Sequence, residues 1–324
     1  MSSKLGSFMV AIALLGGTSA GAQEFPSKSI TLIVPFAAGG PTDTLARNLG
    51  VVLTNSLKQQ VVVENVGGAG GTIGVAKAAK SKPDGYTVLL HHIGMSTAPA
   101  LYRKLPYDTL TDFEYIGQVA DVPMTLLGKK GLPPNNFKEL LPYIKANKGK
   151  LNYANAGLGA ASHLCGLLFM SQIEAEMTTI SYKGTAPAMT DLIGGQVDIM
   201  CDQTTNTTQQ IKAGTVKAYG VTSRQRVASL KDLPPLAEQG LPNFEVVVWH
   251  GLYAPKGTSK ATVDRLVTAL QGAVQDATFK SRLADLGAEP VPVSKANPEA
   301  LRSLLKTEID KWGPIIKKAG VYAD

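Results

Sequence analysis

The sequence predicts an α/β protein whose two lobes face each other across a ligand cleft. Three observations carry that expectation. Residues 30–47, ITLIVPFAAGGPTDTLAR, place a short apolar strand, Ile30–Val34, before a Gly39-Gly40 turn and a helix that opens at Pro41-Thr42-Asp43. Alternation of strand and helix with short glycine turns then recurs in two separate blocks, the pattern of parallel sheets with right-handed crossovers. Finally, 324 residues with 44% apolar content are enough for two packed cores.

The first strand–turn–helix unit is the most informative. A glycine turn into a helix leaves several N–H groups unpaired at the positive end of the helix dipole, which makes a ready anion site. Glycines also let a ligand approach the backbone closely. The phosphate-loop pattern G-x-x-x-x-G-K-[ST] and the dinucleotide pattern G-x-G-x-x-G are both absent, so the anion expected here is a small carboxylate. The same residues also fit an ordinary connection whose glycines only make the turn.

Further along, 60–64 is a β-branched strand, 65–74 (NVGGAGGTIG) a second glycine-rich turn, 74–80 a small-residue helix and 86–90 a buried strand. Ligands of open α/β sheets bind outside the carboxyl ends of the strands. The loops after Val34 and Leu90, the second holding His91, His92 and Gly94, are therefore the expected walls of a site. Strands are predicted at 115–120 and 124–128, separated by Asp121-Val122-Pro123. The second block reads as helix 136–147, strand 152–154, glycine turn 155–162, helix 164–171, strand 178–182, helix 185–193, strand 197–201, helix 205–213 and strand 217–222. An extended run, 246–253, leads to a mostly helical remainder. In its last helix Leu301, Leu304, Leu305, Ile309, Trp312, Ile315 and Ile316 form one stripe, which makes Trp312 a core residue, and Gly313-Pro314 predicts a kink.

Residues 1–22 carry Lys4 as their only charge, an apolar stretch at 8–15, and small residues ending Ala20-Gly21-Ala22. That is the layout of a secretory signal peptide cut after Ala22, too short to span a bilayer. Its removal takes one lysine and no acid, lowering the net charge from +7 to +6. The lysines lie in short scattered runs without interleaved aromatics, which argues against a nucleic-acid partner and suits weak steering of anionic solutes. Cys165 and Cys201 are the two cysteines. An exported chain could pair them, or keep two buried thiols.

The two blocks alone would also fit a dehydrogenase-like enzyme. Pro35-Phe36 with Gly39-Gly40, Asp43 and Arg47 begins a series of short motifs. Val63-Glu64-Asn65 with the glycines of 67–71 follows, then Lys82-Pro83-Asp84-Gly85-Tyr86-Thr87. Tyr153-Ala154, Gly157, Gly159 and Ser162-His163-Leu164 come next, then Tyr182-Lys183-Gly184 with Ala186, and Gly194-Gly195-Gln196-Val197-Asp198. In this order and spacing they resemble the Bug-type extracytoplasmic solute receptors, the substrate-binding components of tripartite tricarboxylate transporters, over essentially the whole mature length. The resemblance implies a periplasmic-binding-protein type II (Venus flytrap) fold with two hinge crossovers, near 123–125 and 245–248. Lobe 1 would comprise 23–124 plus 248–324, and lobe 2 residues 125–247. It implies a periplasmic monomer without cofactor that binds a small organic, aromatic or amino acid and hands it to integral membrane transporter subunits. A secreted sensor for a signalling system is the alternative.

Resemblance and residues together nominate Phe36, Ala37, Ala38, Gly39, Gly40, Thr42 and Asp43 as a first ligand loop, with Asp43 equally fitted to a structural role. From the second lobe come Gly157, Gly159, Ala160, Ser162 and His163, then Thr185 and Ala186. Asp202-Gln203, ending the strand after Cys201, is placed to accept from a ligand hydroxyl or ammonium. Ala160-Ala161 stand where many family members carry a hydroxyl, which weakens the case for a side-chain contact there. His91 and His92, adjacent at a strand end, are expected to point to opposite faces with His92 toward the cleft. The four histidines lack metal-motif spacing. The one G-x-S-x-G match, at 17–21, falls inside the expected signal peptide, and Ser162-His163 adjacency does not make a nucleophile–base pair, so neither metal nor hydrolase is expected.

Overall fold

The computed structural model describes residues 25–320 together with Tyr322 and Ala323. The signal peptide and its cut after Ala22 lie outside the described residues. The chain opens with β1 (Ile30–Val34), α1 (Pro41–Leu57), β2 (Val61–Asn65), α2 (Thr72–Ala79), β3 (Thr87–His92), α3 (Gly94–Leu101) and the long β4 (Phe113–Lys129). The middle runs through α4 (Phe137–Ala146), β5 (Asn152–Asn155), α5 (Ala161–Ile173), β6 (Thr178–Ser181), α6 (Thr185–Ile193), β7 (Ile199–Gln203), α7 (Thr204–Lys212) and β8 (Val216–Val221). β9 (Val247–Pro255) returns, followed by α8 (Lys260–Gln275), α9 (Ala277–Asp285), β10 (Glu289–Pro290) and α10 (Pro298–Ala319).

Local chemistry accounts for the helices that frame the cleft. α1 starts on Pro41 with an acid in its first turn, buries Leu45, Leu49, Leu53 and Leu57 at four-residue spacing, and stops where Lys58 turns left-handed at φ 57°. α10 is capped by Asn297, whose side chain accepts from the Ala300 N–H, and it ends at left-handed Gly320. Leu301, Leu305, Trp312 and Ile316 are buried along it, and it continues through Pro314 as a helix.

The strands form two sheet halves joined through β4, in the order β2-β1-β3-β9-β4-β7-β5-β6, with β10 and β8 also on β4. β1, β2 and β3 are parallel, as are β5, β6 and β7, while β9 and β4 add antiparallel pairings to both halves. This is the two-lobed Venus-flytrap architecture. The two strands expected at 115–120 and 124–128 are one strand. Pro123, read as a break, sits where β4 exchanges its partner Val247 on β9 for β7, beginning at Met124–Gln203. A residue without an N–H is tolerated at such a change of partner. α3 was not foreseen, and β7 lies two residues later than expected, which brings Asp202 and Gln203 into the strand.

Thr222 staples the crossovers. Its N–H donates to Met124 O at 2.9 Å, its Oγ1 accepts from the Met124 N–H at 2.9 Å, and the hydroxyl donates to Val246 O at 2.5 Å. Cys165 and Cys201 are bridged, Cα–Cα 6.2 Å, tying α5 to β7 across a separation of 36 residues. Closing a loop of that length removes about 3–4 kcal/mol of denatured-state freedom in the chain-entropy view.

Candidate ligand cleft

The carboxyl ends of β1, β3, β5 and β7 meet between the lobes. After β1 the chain turns through Gly39, whose φ of +78° is left-handed, a region glycine enters without penalty. Asp43 organises this turn. Its Oδ2 accepts from the Gly39 N–H at 2.9 Å and from Arg47 Nε at 2.8 Å, while Oδ1 accepts from Asn65 Nδ2 at 3.0 Å. Burial raises the carboxyl, but Arg47, the Gly39 N–H and Asn65 outweigh it and hold Asp43 below its ordinary value. With both oxygens engaged, Asp43 shapes the loop and leaves the N–H groups of the first helical turn to face a ligand.

Capping separates the helices of the cleft from the others. α4, α8, α9 and α10 carry side-chain caps from Asn136, Ser259, Asp276 and Asn297. α1, α5, α6 and α7 begin instead on Gly40, Ala160, Gly184 and Gln203 with no side-chain cap bond, and residues from these four starts line one cavity. α2 and α3, which begin near His91 and His92, are uncapped as well. An uncapped start presents its amides and its positive dipole end to an anion.

Behind the first loop stands an aromatic cluster. Phe36 stacks on His92 at 4.7 Å between ring centroids, His91 lies 4.7 Å from His92, and His250 meets His92 edge-on at 5.6 Å. His91 and His92 therefore do not point to opposite faces. β3 ends at His92 and the chain enters α3 at once, so strand alternation has no room to continue. The Gly94 N–H donates to His92 Nδ1 at 3.0 Å, leaving Nε2 as the protonated nitrogen of a neutral ring. His250 Nε2 lies 3.4 Å from Thr42 Oγ1. Burial first, with mutual repulsion of neighbouring rings second, pushes His91 down to about 3 and His92 well below its ordinary range. Burial takes His250 to about 3 and His163 to about 4. Among the described residues no group of three or more His, Cys, Asp or Glu is arranged to hold a metal ion.

On the facing wall Ser162 Oγ accepts from the Ala156 N–H at 2.9 Å, and its hydrogen remains to donate. His163 is occupied separately, its Nδ1 accepting from the Gly159 N–H at 3.2 Å. Serine and histidine thus serve different backbone groups. Asp202 is 1% exposed, and its Oδ2 accepts from Asn206 Nδ2 at 2.6 Å. Asp202 Oδ1, Thr185 Oγ1 and Gln203 Oε1 are buried without a well-formed hydrogen bond, although the Thr185 hydroxyl and the Gln203 N–H stand close enough to Asp202 to favour its carboxylate. Burial is the main influence on Asp202 and pushes it up to about 6, against hydrogen bonding that favours the carboxylate.

The lobes touch along a glycine-rich seam. The Ala37 N–H donates to Lys183 O at 3.3 Å, Thr97 Oγ1 to Gly159 O at 2.9 Å, and Tyr102 Oη to Leu158 O at 3.2 Å. A Cβ on Gly70 would lie 2.0 Å from Leu158 O, and one on Gly67 2.8 Å from Lys183 O. Enclosed behind this seam is a cavity of about 10 Å³, room for about one water. As it stands, a cavity of this size has no room for an organic acid.

Of the residues nominated from sequence, Phe36, Thr42, His92, Ala160, Ser162, Thr185 and Asp202 line this cavity, together with Pro41, Ala156, Ala161 and Gln203. Gly40 is buried at its rim, 3.8 Å from Thr185 Oγ1 for an added Cβ. Ala37, Gly157 and Gly159 belong to the seam, with Gly39 and Ala186 facing each other beside it. Ala38 and Gly39 are exposed, because the turn around Asp43 carries them outward. Asp43, Gly94 and His163 stand behind the lining as supports. Gln203 lines the cavity beside Asp202 as the end of that strand suggested, and Ala156 sits just past the end of β5, where the strand-end rule could have found it.

A family profile described as "Tripartite tricarboxylate transporter family receptor" matches residues 45–321. A UPF0065 protein in the TAR-I ttuE-ttuC' intergenic region of Agrobacterium vitis is 43% identical over 99% of this chain and 92% of its own. The solved structure of the periplasmic binding protein BugD is 54% identical with a TM-score of 0.90, covering 92% of this chain and 99% of that one. MatC from Rhodopseudomonas palustris with bound malate is 37% identical with a TM-score of 0.86, over 90% and 100% of the two chains. A further R. palustris protein with adipate is 32% identical with a TM-score of 0.88, over 92% and 99%.

Proposed function

The chain belongs to the tripartite tricarboxylate transporter family of receptors, and on that premise we propose that it captures a small carboxylated compound between its lobes in the periplasm and delivers it to the membrane subunits of such a transporter. The observation that carries the reading is the convergence of four helix starts without side-chain caps on one cavity that no Lys or Arg lines. Such a site holds a carboxylate by amides and hydroxyls. Similarity to proteins solved with malate and adipate supports the same class of ligand. Among the described residues no helix is long and apolar enough to cross a membrane, so delivery falls to partner subunits.

We take residues 23–124 with 248–324 as one lobe and 125–247 as the other, turning about Pro123 and Val247. The first helical turn of α1 holds one carboxylate, and the wall of Ser162, Thr185 and Asp202 meets the rest of the molecule. Affinity of micromolar order corresponds to about −8 kcal/mol. Calorimetry of the mature protein against dicarboxylates, tricarboxylates, aromatic acids and acidic amino acids tests the reading. At least one should bind at one site per chain. Binding confined to solutes without a carboxylate overturns it. Uptake of the bound acid into vesicles carrying the transporter subunits should depend on added receptor.

A further inference from the structure

Three groups on the second wall stand out because the protein leaves each of them short of a well-formed hydrogen bond, even with Thr185 and Gln203 beside Asp202. Asp202 Oδ1, Thr185 Oγ1 and Gln203 Oε1 are buried, and all three residues line the cavity. Leaving such atoms unpaired is costly, most of all for a charged one. Asp202 poses the sharper problem. It is an acid in a cavity whose lining contains no Lys or Arg, and the nearby histidines are neutral. A ligand carboxylate enclosed with an ionised Asp202 would be repelled. A ligand bearing an O–H or N–H directed at Oδ1 supplies the missing donor, and an ammonium supplies the missing positive charge too.

We propose that Asp202 is the specificity-determining residue of this receptor and that it selects carboxylates carrying a hydroxyl or ammonium substituent over their unsubstituted counterparts. This rests on the carboxylate-receptor reading above and narrows its ligand class. Thr185 serves both partners of the contact, since its hydroxyl can donate to a carboxylate or accept from the substituent. Gln203 extends the acceptor wall by one residue. The first helical turn of α1 then anchors every ligand alike, and Asp202 decides between a substituted acid and its unsubstituted counterpart, which separates affinity from that choice.

Matched sets test this directly: succinate, malate and aspartate; glutarate, 2-hydroxyglutarate and glutamate; propionate, lactate and alanine. Within the set that binds, the wild-type protein should prefer a substituted member over the unsubstituted one by at least tenfold. The malate-type and aspartate-type arms show whether hydroxyl or ammonium is read. Asp202→Ala should bring that preference close to unity while the unsubstituted acid still binds. In Asp202→Asn, which keeps an acceptor but no charge, an ammonium should lose more than a hydroxyl does. Equal wild-type affinity across a set, or a wild-type preference for the unsubstituted acid, overturns the proposal without touching the receptor reading, and needs no variant. An Asp202→Ala protein that folds and keeps the full preference overturns it too. If no carboxylate in these sets or the broader panel binds, the receptor reading fails and this inference falls with it.

Discussion

The Ala37 N–H of one lobe donates to the Lys183 carbonyl of the other at 3.3 Å, so the mouth of the cleft is closed backbone to backbone. Gly67 makes that approach possible, since a Cβ there would stand 2.8 Å from Lys183 O and 3.2 Å from the Ala37 nitrogen. Gly67→Ala should hold the lobes apart without disturbing either core. Ligand affinity should fall at least tenfold, and small-angle scattering should lose the contraction that ligand produces in the wild type. Normal contraction in the variant would mean that the seam yields.

Gly40 and His250 should separate anchoring from selection. Gly40 has an ordinary φ of −83°, so Gly40→Val adds bulk toward Thr185 and Ala186 without forcing left-handed strain. Affinity for every acceptable acid should drop together, by about tenfold or more. His250→Ala removes the ring that contacts His92 and Thr42 and should change the order of preference among acids. Gly39 suits this test poorly, because its exposed, left-handed position would report strain in the turn. Dissociation constants for two acids on each variant decide the matter.

Acid should destabilise the unliganded protein. His91 and His250 are depressed to about 3 and His163 to about 4, from an ordinary 6.5. An unfolded chain takes up those protons below about 6.5 while the folded one does not. The stability they provide is complete above that pH and is lost progressively toward the folded values. Asp202, raised to about 6, acts in the opposite sense between about 6 and 4, but one carboxyl works against several imidazoles. The melting temperature should be flat from pH 7 to 8 and fall from pH 6.5 to 4.5. His250→Gln should flatten that fall, and Asp202→Asn should steepen it.

Thr222→Val keeps the shape of the hinge staple and removes its oxygen. The Met124 N–H then loses a buried acceptor, at a cost of about 1–3 kcal/mol. The urea midpoint should drop with an unchanged denaturant slope, and Thr222→Ser should restore most of it. An unshifted midpoint in the valine variant would show that the hydroxyl carries no stability.

The strand–turn–helix units were legible because periodic burial and glycine turns are local signals. Helices α2, α4, α6 and α7 fall within about two residues of their expected limits, the ordinary scatter of helix ends, and α1 opens at Pro41 as expected. α3 was not legible. Its sequence, GMSTAPAL, has no capping side chain and contains Pro99, and burial on several sides removes the polar stripe that marks a surface helix. The continuity of β4 through Pro123 was hidden because proline reads locally as a break, whereas the change of sheet partner that tolerates it is a tertiary fact. At the cleft, sequence pointed to Thr42, Ser162, Thr185 and Asp202 but could not separate lining from support. Asp43 directly follows lining Thr42 and Gly39 stands two residues before lining Pro41, and only the turn's direction tells them apart.

The bridge between Cys165 and Cys201 has a consequence for the second wall of the cleft. Ser162 lies three residues before one half-cystine and Asp202 directly after the other, so one covalent link joins the two segments that supply the second wall. Polypeptide folded ahead of oxidation would have its sheet but not this fastening. Oxidation thus fixes the spacing between the segments that carry Ser162 and Asp202.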